Sequence, residues 1–85
     1  MQTTDIEHEI RGFLAANFMA GRSEELRDDE QLLGNVVDST GVIELVVFLQ
    51  DRFGIVVDDE EVVSDNLETL RNAVAFVERK LQSKS

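Results

Sequence analysis

Apolar residues recur at intervals of three and four along most of this chain, and nowhere do they alternate over a run long enough for a paired strand. That spacing gathers them on one side of each helix, so the chain must fold by bringing helix faces together. Ile6, Ile10, Phe13, Leu14 and Phe18 make the first stripe, with Glu7, Glu9 and Arg11 off it. Thr4 or Asp5 can cap its start, and Gly21 lies just beyond it as a stop. Val42, Leu45, Val46, Leu49 and Phe53 make the second stripe, in a helix predicted from Asp38-Ser39 to about Phe53 and ended by Gly54. Ile43, Val47 and Phe48 widen its apolar surface, so this helix is either central or partly exposed for binding. Leu70, Ala73, Val74, Val77 and Leu81 mark a last helix from about Thr69 to Leu81. Arg79 and Lys80 stand in its final turns, where cations suit the dipole, and 82–85 are expected to fray.

The segments between these helices carry weaker signals. Residues 20–38 form a long connection in which Leu26, Leu32, Leu33, Val36 and Val37 are expected to pin the chain to the core. Asp58-Asp59-Glu60-Glu61 suits the first turn of a short helix, with Val62 and Val63 buried and a turn at Ser64-Asp65-Asn66. Ile55, Val56 and Val57 are too few for a strand without a partner run and read as a buried connection. Proline is absent, and no cysteine offers a disulfide or a thiolate metal ligand. With 42% hydrophobic residues, 85 residues suffice for one domain, 1–85, with a modest core. The expected fold is all-α: a four-helix bundle with three longer helices and one short third helix.

A formal net charge of −10 argues against nucleic acid and against an anionic membrane. From Glu24 to Glu68 there are fourteen acids and two arginines, or −12; from Arg71 to Lys84 there are four bases and one acid, or +3. The acidic middle could steer a basic partner, but charge alone favours the plainer reading that it keeps a small protein soluble. Met1 to Glu9 are polar and acidic, with no signal, transit or membrane-spanning pattern, so a soluble, intracellular protein is expected; the further expectations are a cytoplasmic location and a monomer.

Intrinsic catalysis is not expected. The one histidine, His8, lies off the apolar stripe, and nothing in the sequence brings it near a serine nucleophile. No carboxylate pair has an apolar setting that would raise a pKa. The acidic runs do not fit a calcium loop: counted from Asp58 the third ligand position is Val62 and the glycine position Val63, and from Asp28 the third is Leu32. No metal site is expected.

Asp38-Ser39 remains. The pair is common at helix starts for capping reasons alone. A serine there can also present its hydroxyl outward, where amide N–H groups and the positive dipole end suit a joined phosphate. Its context is distinctive. Leu33-Gly34-Asn35-Val36-Val37-Asp38-Ser39-Thr40-Gly41-Val42-Ile43-Glu44-Leu45-Val46 resembles the attachment segment of acyl carrier proteins. Phe48-Leu49-Gln50-Asp51-Arg52-Phe53-Gly54-Ile55, the acidic run after it, and Asn66-Leu67-Glu68-Thr69-Leu70 continue the resemblance over nearly the whole chain.

The resemblance implies a four-helix fold and a carrier's task. Ser39 would receive 4′-phosphopantetheine from coenzyme A through a separate magnesium-dependent phosphopantetheinyl transferase, and Asp38 would belong to the recognised motif. The reactive thiol then belongs to the cofactor, which accounts for a chain without cysteine. Thr40 stands where the family usually has leucine, which bears on which transferase recognises the site. Gly41 is expected to add local freedom at the helix start. In the family the second helix is the main docking surface, and Glu44, Val47 and Asp51 share one of its faces. They are the expected contacts for acyl- or aminoacyl-loading ligases or synthases with basic docking surfaces. Val36-Val37, where peptidyl carriers often have glycines, favour an acyl carrier of fatty-acid or polyketide type. An aminoacyl or peptidyl carrier, and an unmodified acidic interaction module, are the alternatives.

Overall fold

The computed structural model describes residues 2–63 and 65–83. These residues form helices α1 (Thr3–Phe18), α2 (Ser39–Phe53), α3 (Asp59–Val63) and α4 (Leu70–Ser83), with short 3₁₀ turns at Ser23–Glu25 and Asp65–Leu67. The architecture is all-α, and the third helix is the short one, as the sequence predicts. Gln31 with Thr69 and Leu33 with Val37 make isolated β-bridges, and no strand forms among the described residues.

The helix stripes meet in one core. Ile6, Ile10 and Leu14 of α1, Leu45 and Leu49 of α2, and Ala73 and Val77 of α4 are shut off from solvent. Burying each large aliphatic side chain stabilises the fold by about 1.5–3 kcal/mol. α1 and α4 share the most extensive helix–helix contact, and Thr3 donates a hydrogen bond to Glu78 across it. Glu9 and Arg52 join α1 to α2 through paired hydrogen bonds of 2.6 and 3.0 Å.

Several boundaries differ from expectation. α1 starts one residue before Thr4: its N-cap is Gln2, whose carbonyl accepts the Ile6 N–H at 3.0 Å and whose side chain makes no capping bond. Neither Thr4 nor Asp5 caps it. At its other end the Gly21 N–H returns to the Ala15 carbonyl at 2.7 Å. α2 ends as predicted, with Gly54 at φ +68° returning its N–H to Gln50. An L side chain at that φ would be strained. α4 continues through Gln82 and Ser83, where fraying was expected; Ser83 Oγ bonds the Arg79 carbonyl at 2.9 Å. Residues 84 and 85 lie outside the described residues, as do Ser64 and the predicted burial of Val63. The buried face of α4 also includes Phe76, 2% exposed, which the stripe read from sequence omits.

The long connection is anchored, though not by every residue named for it. Leu26, Leu32 and Val37 are buried and Val36 is partly so, but Leu33 is 44% exposed. Leu32 and Leu33 are neighbours in an extended segment, so when one points inward the other points out. Arg11 gathers the connection by donating to the carbonyls of Ser23 and Leu26 and to the Asp28 carboxylate at 2.8 Å. Leu32 N–H bonds the Glu68 carbonyl and Arg71 N–H the Asp28 carbonyl, tying the connection to the start of α4. After α2, Ile55 and Val57 are buried while Val56 between them is exposed. The segment is therefore an alternating extended one, not a wholly buried connection.

Candidate functional site

The start of α2 is built by Asp38. Its backbone is extended, its Oδ1 accepts the Gly41 N–H at 2.6 Å, and its carbonyl accepts the Val42 N–H at 3.0 Å. This is the geometry of an acidic N-cap. Ser39 and Thr40 follow as the first two helical residues, and both are exposed. Their N–H groups precede the first intrahelical bond, so they face solvent or an anion rather than a carbonyl of the same helix.

Gly41 does something other than loosen this turn. It is buried, and a Cβ placed on it would lie 2.8 Å from Cε1 of Phe18 and 3.2 Å from the Asp38 carboxylate. The glycine is a close-packing position under the turn, which corrects the expectation of added freedom. A ring arriving from α1, some twenty residues away, leaves no mark in the local sequence.

An open groove of about 490 Å³ runs from Ser39 between α2 and the segments before α4. Leu33, Val42, Val62 and Leu67 supply its apolar lining, with Gln31, Asp65 and Glu68 alongside. The outward turn of Leu33 thus places an apolar side chain beside Ser39. The short α3 that carries Val62 is fixed by Glu61. Its carboxylate accepts the Asp58 N–H at 3.0 Å and pairs with Lys80 at 2.8 Å. The Asp58 amide first, and then the Lys80 ammonium, hold the Glu61 carboxyl below its usual value.

Glu44, Val47 and Asp51 lie together on the outer side of α2, and all three are exposed, Val47 by 50%. They line a second open groove, of about 530 Å³, with Ile43, Phe13, Phe48 and Arg52. Ile43 is 63% exposed and one helical turn from Val47, so it belongs to the same surface. Its spacing of four from Val47 was the available signal. Arg52 is turned toward Glu9, which holds the Glu9 carboxyl below its usual value chiefly through their hydrogen bonds. Glu44 and Asp51 have no ion-pair partner among the described residues. The surface therefore presents two apolar side chains between uncompensated carboxylates.

His8 is exposed on α1. Among the described residues no three acidic or histidine side chains are grouped to hold a metal, and no helix is long and apolar enough to cross a membrane.

No family model matches the chain. A solved structure does: the solution structure of a holo acyl carrier protein from Nitrosomonas europaea, 32% identical in sequence. The match has a TM-score of 0.71 and covers 96% of this chain and 99% of that one.

Proposed function

The chain belongs to the acyl carrier protein family, and from that premise we propose that it carries acyl groups as thioesters on a 4′-phosphopantetheine arm joined to Ser39. It is a carrier and not an enzyme. The observation that carries the proposal is the exposure of Ser39 in the first turn of a helix whose leading amides are unengaged, at the mouth of an apolar groove. When attached, the arm supplies the thiol that this cysteine-free chain lacks.

The residues present fit such a group. Ser39 Oγ would be the oxygen through which the phosphodiester is joined. The N–H groups of Ser39 and Thr40, with the positive end of α2, favour the phosphate's charge. Leu33, Val42, Val62 and Leu67 offer apolar surface for the arm's methylenes and methyls, and the Gln31 amide lies beside them. Asp38 keeps the turn formed and stands at the surface as part of the motif a phosphopantetheinyl transferase reads. Thr40, exposed, replaces an apolar residue in that motif with a smaller polar one.

Partner enzymes dock on the outer face of α2 through Glu44, Val47, Asp51 and Ile43. The acidic side chains favour a basic surface, and the two aliphatic ones give it an apolar anchor. We assign the protein a monomeric, cytoplasmic role as one carrier domain over 1–85. The test is direct. Incubation with coenzyme A, magnesium and a broad-specificity transferase should add the mass of one arm, and Ser39→Ala should abolish the gain. A mass gain that survives Ser39→Ala would place the arm elsewhere.

A further inference from the structure

We propose that Phe18 is a positioning residue for the modification of Ser39, acting through Gly41; the inference rests on the attachment reading above. Four rings line the seam between α1 and α2. Phe53, at the end of α2, meets Phe48 edge-on with centroids 6.2 Å apart. Phe48 stacks on Phe13 of α1 at 4.2 Å, with 16° between the planes. Phe13 meets Phe18 edge-on at 6.0 Å. Phe18, the last residue of α1, then reaches beneath the first turn of α2, where a Cβ on Gly41 would stand 2.8 and 3.1 Å from its Cε1 and Cζ atoms. Carbon atoms in good contact sit about 3.5–4.0 Å apart. The ring therefore packs on the peptide backbone itself, and a methyl at position 41 fits only if the ring moves.

Gly41 is also the residue whose N–H holds the Asp38 carboxylate. Ring, glycine and cap thus form one packed unit two residues from the Ser39 hydroxyl. Ser39 is exposed, so the turn beneath it sets where its Cβ stands and from where its hydroxyl swings. Helix first turns lack half their backbone bonds and fray easily. A ring seated against this one restricts its tilt and so narrows the positions from which the hydroxyl can meet an incoming phosphate. Orientation errors of about 1 Å are enough to slow a group transfer severely.

The test is the kinetics of arm transfer to the full chain, followed by intact mass. Gly41→Ala should lower kcat about tenfold and leave KM within about twofold, because the outer face of α2 is untouched. Alanine favours a helix over glycine, so a ring that merely fills space and yields to the new methyl predicts a rate at least as fast as wild type. Adding Phe18→Leu to Gly41→Ala removes the ring edge that the new methyl strikes, and should raise kcat to the level of Phe18→Leu alone, about threefold below wild type. A wild-type rate for Gly41→Ala, or a slow one that the double variant does not restore, overturns the proposal. If circular dichroism shows Gly41→Ala unfolded, Phe18→Leu alone decides. It should slow kcat while the chain stays helical, and a wild-type rate refutes the role. Wild-type protein that takes no arm at all would remove the attachment reading, and this inference with it.

Discussion

Substitution at Asp38 separates two tasks that one carboxylate performs. Its Oδ1 accepts the Gly41 N–H at 2.6 Å, and its charge lies at the positive end of α2. Asp38→Ala removes both. Loss of an N-cap costs about 1 kcal/mol, within a range of roughly 0.5–2, and loss of an acid at an exposed helix start adds about 0.3–1. The total is about 1–2 kcal/mol, against roughly 4–13 kcal/mol expected for a domain of this length. The fold survives, and its Tm falls by roughly 5–10 °C. Asparagine caps as well as aspartate, so Asp38→Asn keeps the hydrogen bond and loses only the charge, about 0.3–1 kcal/mol or roughly 2–5 °C. Arm transfer should slow in both variants if the charge is read by the transferase. Thermal unfolding followed by far-ultraviolet circular dichroism measures the first effect, and intact mass against time the second. If Asp38→Asn loses as much Tm as Asp38→Ala, the capping bond is not what holds the turn. If Asp38→Asn accepts the arm at the wild-type rate, the charge is not part of recognition.

Reversing both charges of the outer face, with Glu44→Lys and Asp51→Lys, should slow association with a basic transferase about tenfold at low salt and flatten its salt dependence, with little change in Tm. Unaltered rates with the salt dependence intact would remove this face from docking. Glu61 supplies a pH-dependent increment of stability. Its folded pKa is lowered from the ordinary 4.5, so the increment is present above that value and lost as pH falls through the lowered one. The Tm gap between wild type and Glu61→Gln should therefore close on the acid side, and a gap independent of pH would contradict the assignment. Phe76→Ala should cost about 3–5 kcal/mol in urea unfolding, since the ring is almost wholly buried. A loss below about 1 kcal/mol would mean that the ring does not pack as described.

Local signals in the sequence located most of the fold. Asp38 and Gly54 bound α2 because capping acids and left-handed glycines act within one turn of themselves. Leu45 and Leu49 declare their burial by spacing alone. What escaped was set by distant partners or by alternation too short to read. Phe76 is buried because α4 sinks a wider face than a single stripe describes. Leu33 and Val56 turn outward because each sits in an extended segment next to a residue that turns in. The same division holds at the candidate site. Ser39 and the face of Glu44, Val47 and Asp51 follow from neighbours and helical period. The groove beside Ser39 does not, because Leu33, Val62 and Leu67 reach it from three separate segments. Gly41 reads from its neighbours only as a flexible position, because the ring of Phe18 that packs against it comes from α1.

The most direct measurement is the intact mass of the protein taken from its own cell, with fragmentation to locate any added group. The protein should carry one 4′-phosphopantetheine on Ser39, with or without an acyl group on its thiol, and no other modification of α2. A population wholly without that mass, from cells whose other carrier proteins bear it, would contradict the assignment of Ser39 as the attachment point.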